Sequence, residues 1–158
     1  MLPEKEAYRA RSQGPVSLKY AEENEEEVMT IRVLVIDDEE DIRRLVQIKL
    51  SKAGYDVTTA SDGEEGVALA LKIRPDVVIA DIMMPGKDGY QVVTELKGQL
   101  AFEPPVLILL TAKNQKADII HGLAGGADDY VTKPFSPREL IERIEVALIK
   151  AGKTSPGS

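Results

Sequence analysis

No cysteine or tryptophan occurs among the 158 residues, and histidine appears once, as His121. These absences exclude a disulfide framework, a thiolate zinc site and a cysteine nucleophile, and one imidazole cannot build a His-rich metal centre. Any metal here is held by oxygen. Aromatic residues make up 4% of the chain, which leaves little to sandwich a flavin ring. The longest strongly apolar run, 106–110, is far short of the roughly 20 residues needed to span a bilayer. The N-terminus has no continuous apolar signal segment, so a soluble cytoplasmic protein without a membrane partner is expected. Positive charge is in the minority, with 20 Lys and Arg against 27 Asp and Glu, a net charge of -7 and a pI near 4.9. That balance argues against a generic electrostatic grip on nucleic acid.

What is present divides unevenly. Residues 1–28 contain Pro3, Gly14 and Pro15 and a run of Glu22, Glu23, Glu25, Glu26 and Glu27, and read as an acidic, flexible extension. Met29 stands directly before the first strand. From Ile31 onward, short β-branched runs alternate with amphipathic stretches, the pattern of successive βα units feeding a parallel sheet. Strands are expected at 31–36, 55–59, 77–80, 106–110 and 127–131. Helical faces are expected at Ile42, Leu45, Val46 and Leu50; at Val67, Ala70 and Leu71; at Val93, Leu96 and Leu100; at Ile119, Ile120 and Leu123; and at Leu140, Ile144, Ala147 and Leu148. Gly54 reads as a helix stop, Ser61 with Glu64 as a capping box, and Ser136, Pro137 and Glu139 as a second one. One domain over 29–151 follows, doubly wound with helices on both sides, and with a flexible tail at 152–158.

Ligands of such sheets gather at the carboxyl ends of the strands. There the first strand ends in Asp37, Asp38 and Glu39, the third in Asp81, the fourth in Thr111, and the fifth in Thr132 and Lys133 followed by Pro134. Alone, an Asp after a strand is most simply a helix cap and Lys133 a solvated lysine. Together they form a pocket of carboxylates, a hydroxyl and an ammonium. Clustered carboxylates repel unless a cation is shared between them, and Mg2+ suits an all-oxygen donor set. With Mg2+ and Lys133 neutralising a phosphoryl group, Asp81 is a candidate nucleophile giving an acyl phosphate.

The stretches VLVIDDE from Val33, DIMMPG from Asp81, Leu110-Thr111-Ala112, and GADDYVTKPF from Gly126 together resemble the response-regulator receiver family of two-component signalling. Intervals of 43 residues from Asp38 to Asp81, 30 to Thr111 and 22 to Lys133 suit it as well. The resemblance implies a flavodoxin-like (βα)5 sheet in strand order 2-1-3-4-5. It implies Asp81 as phospho-acceptor, Asp38 as a direct Mg2+ ligand, Asp37 as a ligand acting largely through water, and Met83 as a ligand through its backbone carbonyl. It further implies Lys133 on the phosphoryl oxygens, a cis Lys133-Pro134 bond, and a switch made of Thr111 and Tyr130.

The function expected is a phosphorelay switch rather than a conventional enzyme. A histidine kinase or phosphotransfer protein donates to Asp81, the domain catalyses only its own phosphorylation and dephosphorylation, and the face around the fourth helix, fifth strand and last helix changes. Few residues follow Ala151, so a stand-alone protein acting on a downstream protein target is expected, with no direct nucleic-acid binding, as a monomer or a phosphorylation-dependent homodimer. The same motifs also fit the receiver of a DNA-binding transcription factor, in which Asp129, Glu139, Arg143 and Lys150 would contribute to pairing. A haloacid-dehalogenase-type phosphatase also uses a strand-end aspartate, but wants a second acid where Met83 stands. A flavodoxin-like electron carrier conflicts with the acidic strand ends. His121 is read as a surface residue and Met84 as packing.

Overall fold

A computed structural model of the chain describes residues 30–112 and 125–153. The expectations for residues 1–29, for the helical stretch around Ile119, Ile120 and Leu123, for His121 and for residues 154–158 lie outside that description. The described elements run β1 (Arg32–Ile36), α1 (Glu40–Lys52), β2 (Asp56–Ala60), α2 (Gly63–Ile73), β3 (Val77–Asp81), α3 (Gly89–Gln99), β4 (Val106–Ala112), β5 (Asp129–Lys133) and α4 (Pro137–Lys150). The strands form one parallel sheet in the order β2-β1-β3-β4-β5. No described helix is long and apolar enough to cross a membrane.

Central strands are apolar at almost every position because both faces of the sheet are covered. Side chains alternate across it. Val33, Val35, Val77, Ile79, Ile108 and Leu110 pack with Val46 and Leu50 of α1 and Leu140, Ile144 and Leu148 of α4. Leu34, Ile36, Val78, Ala80, Leu107 and Leu109 pack with Val67 and Ala70 of α2 and Val92, Val93 and Leu96 of α3. The two cores are therefore separate layers sharing one sheet.

The helix ends refine the sequence reading. α2 is capped by Asp62 rather than Ser61: the Asp62 Oδ1 accepts from the Glu65 N–H, and Glu65 Oε1 accepts from the Ser61 N–H, so the expected Ser61–Glu64 box is replaced by a cap one residue later. At α4 the Ser136 Oγ accepts from the Glu139 N–H, and of the box expected there this arm is the one formed. A full capping box joins Asp88 and Gln91 at the start of α3. Of the expected α1 face, Val46 and Leu50 are buried and Ile42 partly so, whereas Leu45 is 39% exposed at the margin of that face. The fifth strand starts two residues later than expected. The Asp128 N–H donates to the Leu107 carbonyl and its carboxylate accepts from the Leu107 N–H at 2.7 Å, which caps the ladder before Asp129 begins it.

At the amino edge of the sheet, buried Asp76 acts as a clasp. Its Oδ2 accepts from the Arg32 N–H at 2.9 Å and its N–H donates to the Arg32 carbonyl. Its own carbonyl accepts from the Val106 N–H and, at 3.2 Å, from Lys153 Nζ beyond α4. Strands β1, β3 and β4 and the end of the last helix meet there.

Tyr55, just before β2, buries its hydroxyl with no hydrogen-bond partner among the described residues. Burial, with Glu145 adding negative charge nearby, pushes its phenol from 10.0 to about 12. The folded state therefore keeps a proton that the unfolded chain loses from pH 10.0 upward, and stability falls between there and about pH 12. Tyr55→Phe is expected to stabilise the domain by about 1 kcal/mol near neutral pH. The advantage should widen by on the order of 2 kcal/mol across that alkaline window, measured by urea denaturation at several pH values. A gap between the two proteins that does not change with pH would contradict the buried neutral phenol.

Candidate functional site

The strand order reverses between β1 and β3, the switch point at which open α/β sheets form their crevice. Asp37 and Asp38 follow β1 on one side of it, and Asp81 ends β3 on the other. Gly89 allows the start of α3 to abut that strand end, since a Cβ there would lie 2.7 Å from the Asp81 carbonyl oxygen. Parallel pairing brings Thr111 of β4 beside Thr132, and Ala112 beside Lys133. The structure thus gathers Asp37, Asp38, Asp81, Thr111 and Lys133 at one edge.

Lys133 is the centre of the arrangement. Its Nζ donates to Asp37 Oδ2 at 3.0 Å, Glu39 Oε1 at 2.9 Å and Asp81 Oδ2 at 3.1 Å. An ammonium has three N–H groups, so its donors are fully used. Asp37 is completely buried; its Oδ1 accepts from the Glu39 N–H at 2.9 Å and its carbonyl from Arg43 Nη1 at 2.7 Å. Asp81 is 5% exposed, and its Oδ1 accepts from the Met83 N–H at 3.2 Å.

Burial and then the neighbouring Asp37 charge raise the Asp81 carboxyl above its ordinary range, and Lys133 and the Met83 N–H only partly oppose this. Burial by itself would lower Lys133. Hydrogen bonds to Glu39 and Asp37, and the charges of Asp37 and Asp81, outweigh it and hold the ammonium protonated well above its usual range. The pocket is therefore short of positive charge. Carboxylate oxygens of Asp37, Asp38 and Asp81 lie within 4.8 Å of one another, an all-oxygen group able to hold a hard divalent cation.

Thr111 is buried, and its hydroxyl donates to the Ala112 carbonyl across a long 3.4 Å. Tyr130 is half-buried against the α2–α3 core layer, the side of the sheet that Thr111 also faces by strand alternation. The Lys133-Pro134 peptide is cis. Met83 exposes 63% of its surface beside the site, while Met84 is buried in the core.

The model of the response regulator receiver domain matches residues 33–145. The chain belongs to this family. It is a receiver domain of a two-component response regulator. Over 130 residues it is 45% identical to the alkaline phosphatase synthesis transcriptional regulatory protein PhoP of Bacillus subtilis, covering 82% of this chain and 53% of that protein. The chain thus spans about half the length of this curated relative. The chemotaxis protein CheY4 of Vibrio cholerae is 35% identical with a TM-score of 0.72, covering 76% of this chain and all of that one. NtrX of Brucella abortus, solved in complex with ATP, is 31% identical with a TM-score of 0.73 over 78% of this chain and 28% of its own. Membership of the receiver family sets aside the haloacid-dehalogenase and electron-carrier readings. Receiver domains are signalling domains rather than conventional enzymes.

The sequence places Glu39 at the strand end without giving it a task. Glu39 carried a signal: it occupies a helix N-cap position, where Ser, Thr, Asp or Asn is favoured.

Removing Lys133 leaves three carboxylates without their common cation. Lys133→Met is expected to destabilise the domain by about 2–4 kcal/mol in metal-free buffer near neutral pH. The loss should shrink on acidification, because Asp81 takes up a proton early, and also on adding a divalent cation. Thermal melts with and without Mg2+ check this; an unchanged midpoint would show that the carboxylates do not need the ammonium.

Proposed function

We propose that Asp81 accepts a phosphoryl group from a histidine kinase or phosphotransfer protein and that this shifts the domain between two conformations read by a downstream partner. The observation that supports this best is the Asp81 carboxylate at the switch point. It is shielded from water and held by Lys133 and the Met83 N–H, with Asp37 and Asp38 close by. In the transfer, an Asp81 oxygen forms the new bond to phosphorus. The bond from phosphorus to the donor nitrogen, or to the acetyl oxygen of acetyl phosphate, breaks, and the leaving group keeps the electron pair. Bound Mg2+ would neutralise the carboxylates and the phosphoryl oxygens, held by Asp38, Asp81, the Met83 carbonyl and, largely through water, Asp37. Lys133 orients the phosphoryl group and balances its charge.

Thr111 and Tyr130 form the switch in this reading. The long Thr111 bond is cheap to redirect, so its hydroxyl can turn to a phosphoryl oxygen and vacate space on the face against which the Tyr130 ring lies. A ligand shifts two states only through its differential interaction with them, and this hydroxyl supplies that difference. Among the described elements, the face that changes in this reading is that of β5 and α4.

A second reading concerns the output. The chain spans 53% of PhoP, a transcriptional regulatory protein by name, which favours the receiver portion of a longer regulator over a stand-alone switch. Asp129 and Arg143, candidates for pairing two such receivers, are joined within the chain at 3.1 Å.

Acetyl phosphate with Mg2+ is expected to add one phosphate to the intact mass, and Asp81→Asn to remove the adduct; equal labelling of that variant would move the acceptor elsewhere. Thr111→Ala is expected to accept phosphate on Asp81 yet show much smaller NMR shift changes than the parent across residues 125–150. Changes of equal size and pattern would reduce Thr111 to a strand residue and send the signal by another route.

A further inference from the structure

We propose that Glu39 is the exchangeable partner of Lys133: its bond to the ammonium is the one surrendered to an arriving phosphoryl oxygen, and this exchange sets how fast Asp81 is charged. The inference rests on the reading of Asp81 as acceptor given above. It begins from the saturation of Lys133, whose three donors already serve Asp37, Glu39 and Asp81. A phosphoryl oxygen can be bound only if one acceptor leaves.

The three differ sharply in what leaving costs. The Asp37 side chain is 0% exposed, so losing the ammonium strands a charge away from water. The Asp81 side chain is 7% exposed and is the reacting group itself. The Glu39 side chain is 60% exposed, and its carboxylate returns to solvent when released. Glu39 therefore yields first.

Among the described residues, this side chain makes no other bond. Glu39 sits at the N-cap of α1 and makes no side-chain capping bond. Its structural bonds are made by the backbone: its N–H donates to Asp37 Oδ1, and its carbonyl accepts from the Arg43 N–H at 3.0 Å. Substitution leaves both in place. Glu39 is thus a positioning residue. It parks the ammonium between transfers and adds another negative charge in front of an anionic donor.

The test uses the full chain and its Glu39→Ala, Glu39→Asp and Glu39→Gln variants, with saturating Mg2+ and excess acetyl phosphate, following the one-phosphate mass adduct over time. Glu39→Ala should raise the phosphorylation rate constant by about two- to fivefold, the range corresponding to an exposed ion pair. Glu39→Asp keeps the charge but falls one methylene short of the ammonium, and should show most of that gain. Glu39→Gln, an uncharged acceptor, should fall between Glu39→Ala and the parent. In the unphosphorylated protein, the protons of the Lys133 ammonium, followed through its 15N resonance, should exchange faster with solvent in Glu39→Ala than in the parent. A rate for Glu39→Ala equal to or below the parent's overturns the proposal. So does a Glu39→Asp rate matching the parent's while Glu39→Ala accelerates, since that assigns the effect to bulk charge. Absence of the adduct from the parent, or its survival in Asp81→Asn, refutes the acceptor reading itself and is distinguishable from either result.

Discussion

Charge is crowded where the sheet is driest. Asp37 and Asp81 sit at the ends of neighbouring strands, nearly free of water, and a single ammonium from a third strand stands between them. Neither acid tolerates its place alone, and the raised Asp81 carboxyl shows that one lysine does not fully satisfy the pair. Much of the surrounding architecture follows from keeping these groups together. The Glu39 and Met83 amides point at the carboxylates, Gly89 lets α3 reach the strand end, and Arg43 holds the turn through the Asp37 carbonyl. The unmet demand for positive charge makes the pocket receptive to a divalent cation and, in the proposed reading, to chemistry that moves charge.

The sheet supplies the rigidity this requires. Parallel strands covered on both faces open polar sites at their ends, and residues far apart in sequence, such as Asp37 and Lys133, are brought within hydrogen-bond distance there by a packed core. Thr111 and Tyr130 belong to the same rigid frame but are held more loosely, the first by a long hydrogen bond and the second by partial burial. In the proposed reading, the tightly held site passes its change to these more loosely held neighbours.

The order of elements, the core strands and the carboxyl-edge residues were legible because each leaves a local trace: β-branched runs, apolar periodicity, and polar residues where strands stop. Cap positions and strand starts were less so. Asp62 rather than Ser61 caps α2 because both are competent caps and tertiary geometry chooses between them. The fifth strand starts at Asp129 because Asp128 spends its side chain on the Leu107 amide, a bond across 21 residues that no window of sequence displays. Glu39 belongs to the same class, since its partner lies 94 residues away. Long-range side-chain bonds are set by the fold and become visible only with it.

The Asp76 clasp gives the molecule a direction. At the amino edge of the sheet a buried carboxylate and its own backbone tie β1, β3, β4 and Lys153, with the bonds pointing inward. At the opposite edge the carboxylates compete for one donor. In the proposed reading the domain is a beam clamped at one end and loaded at the other, and a disturbance at the strand tips would be turned sideways, into the helices and loops beside them.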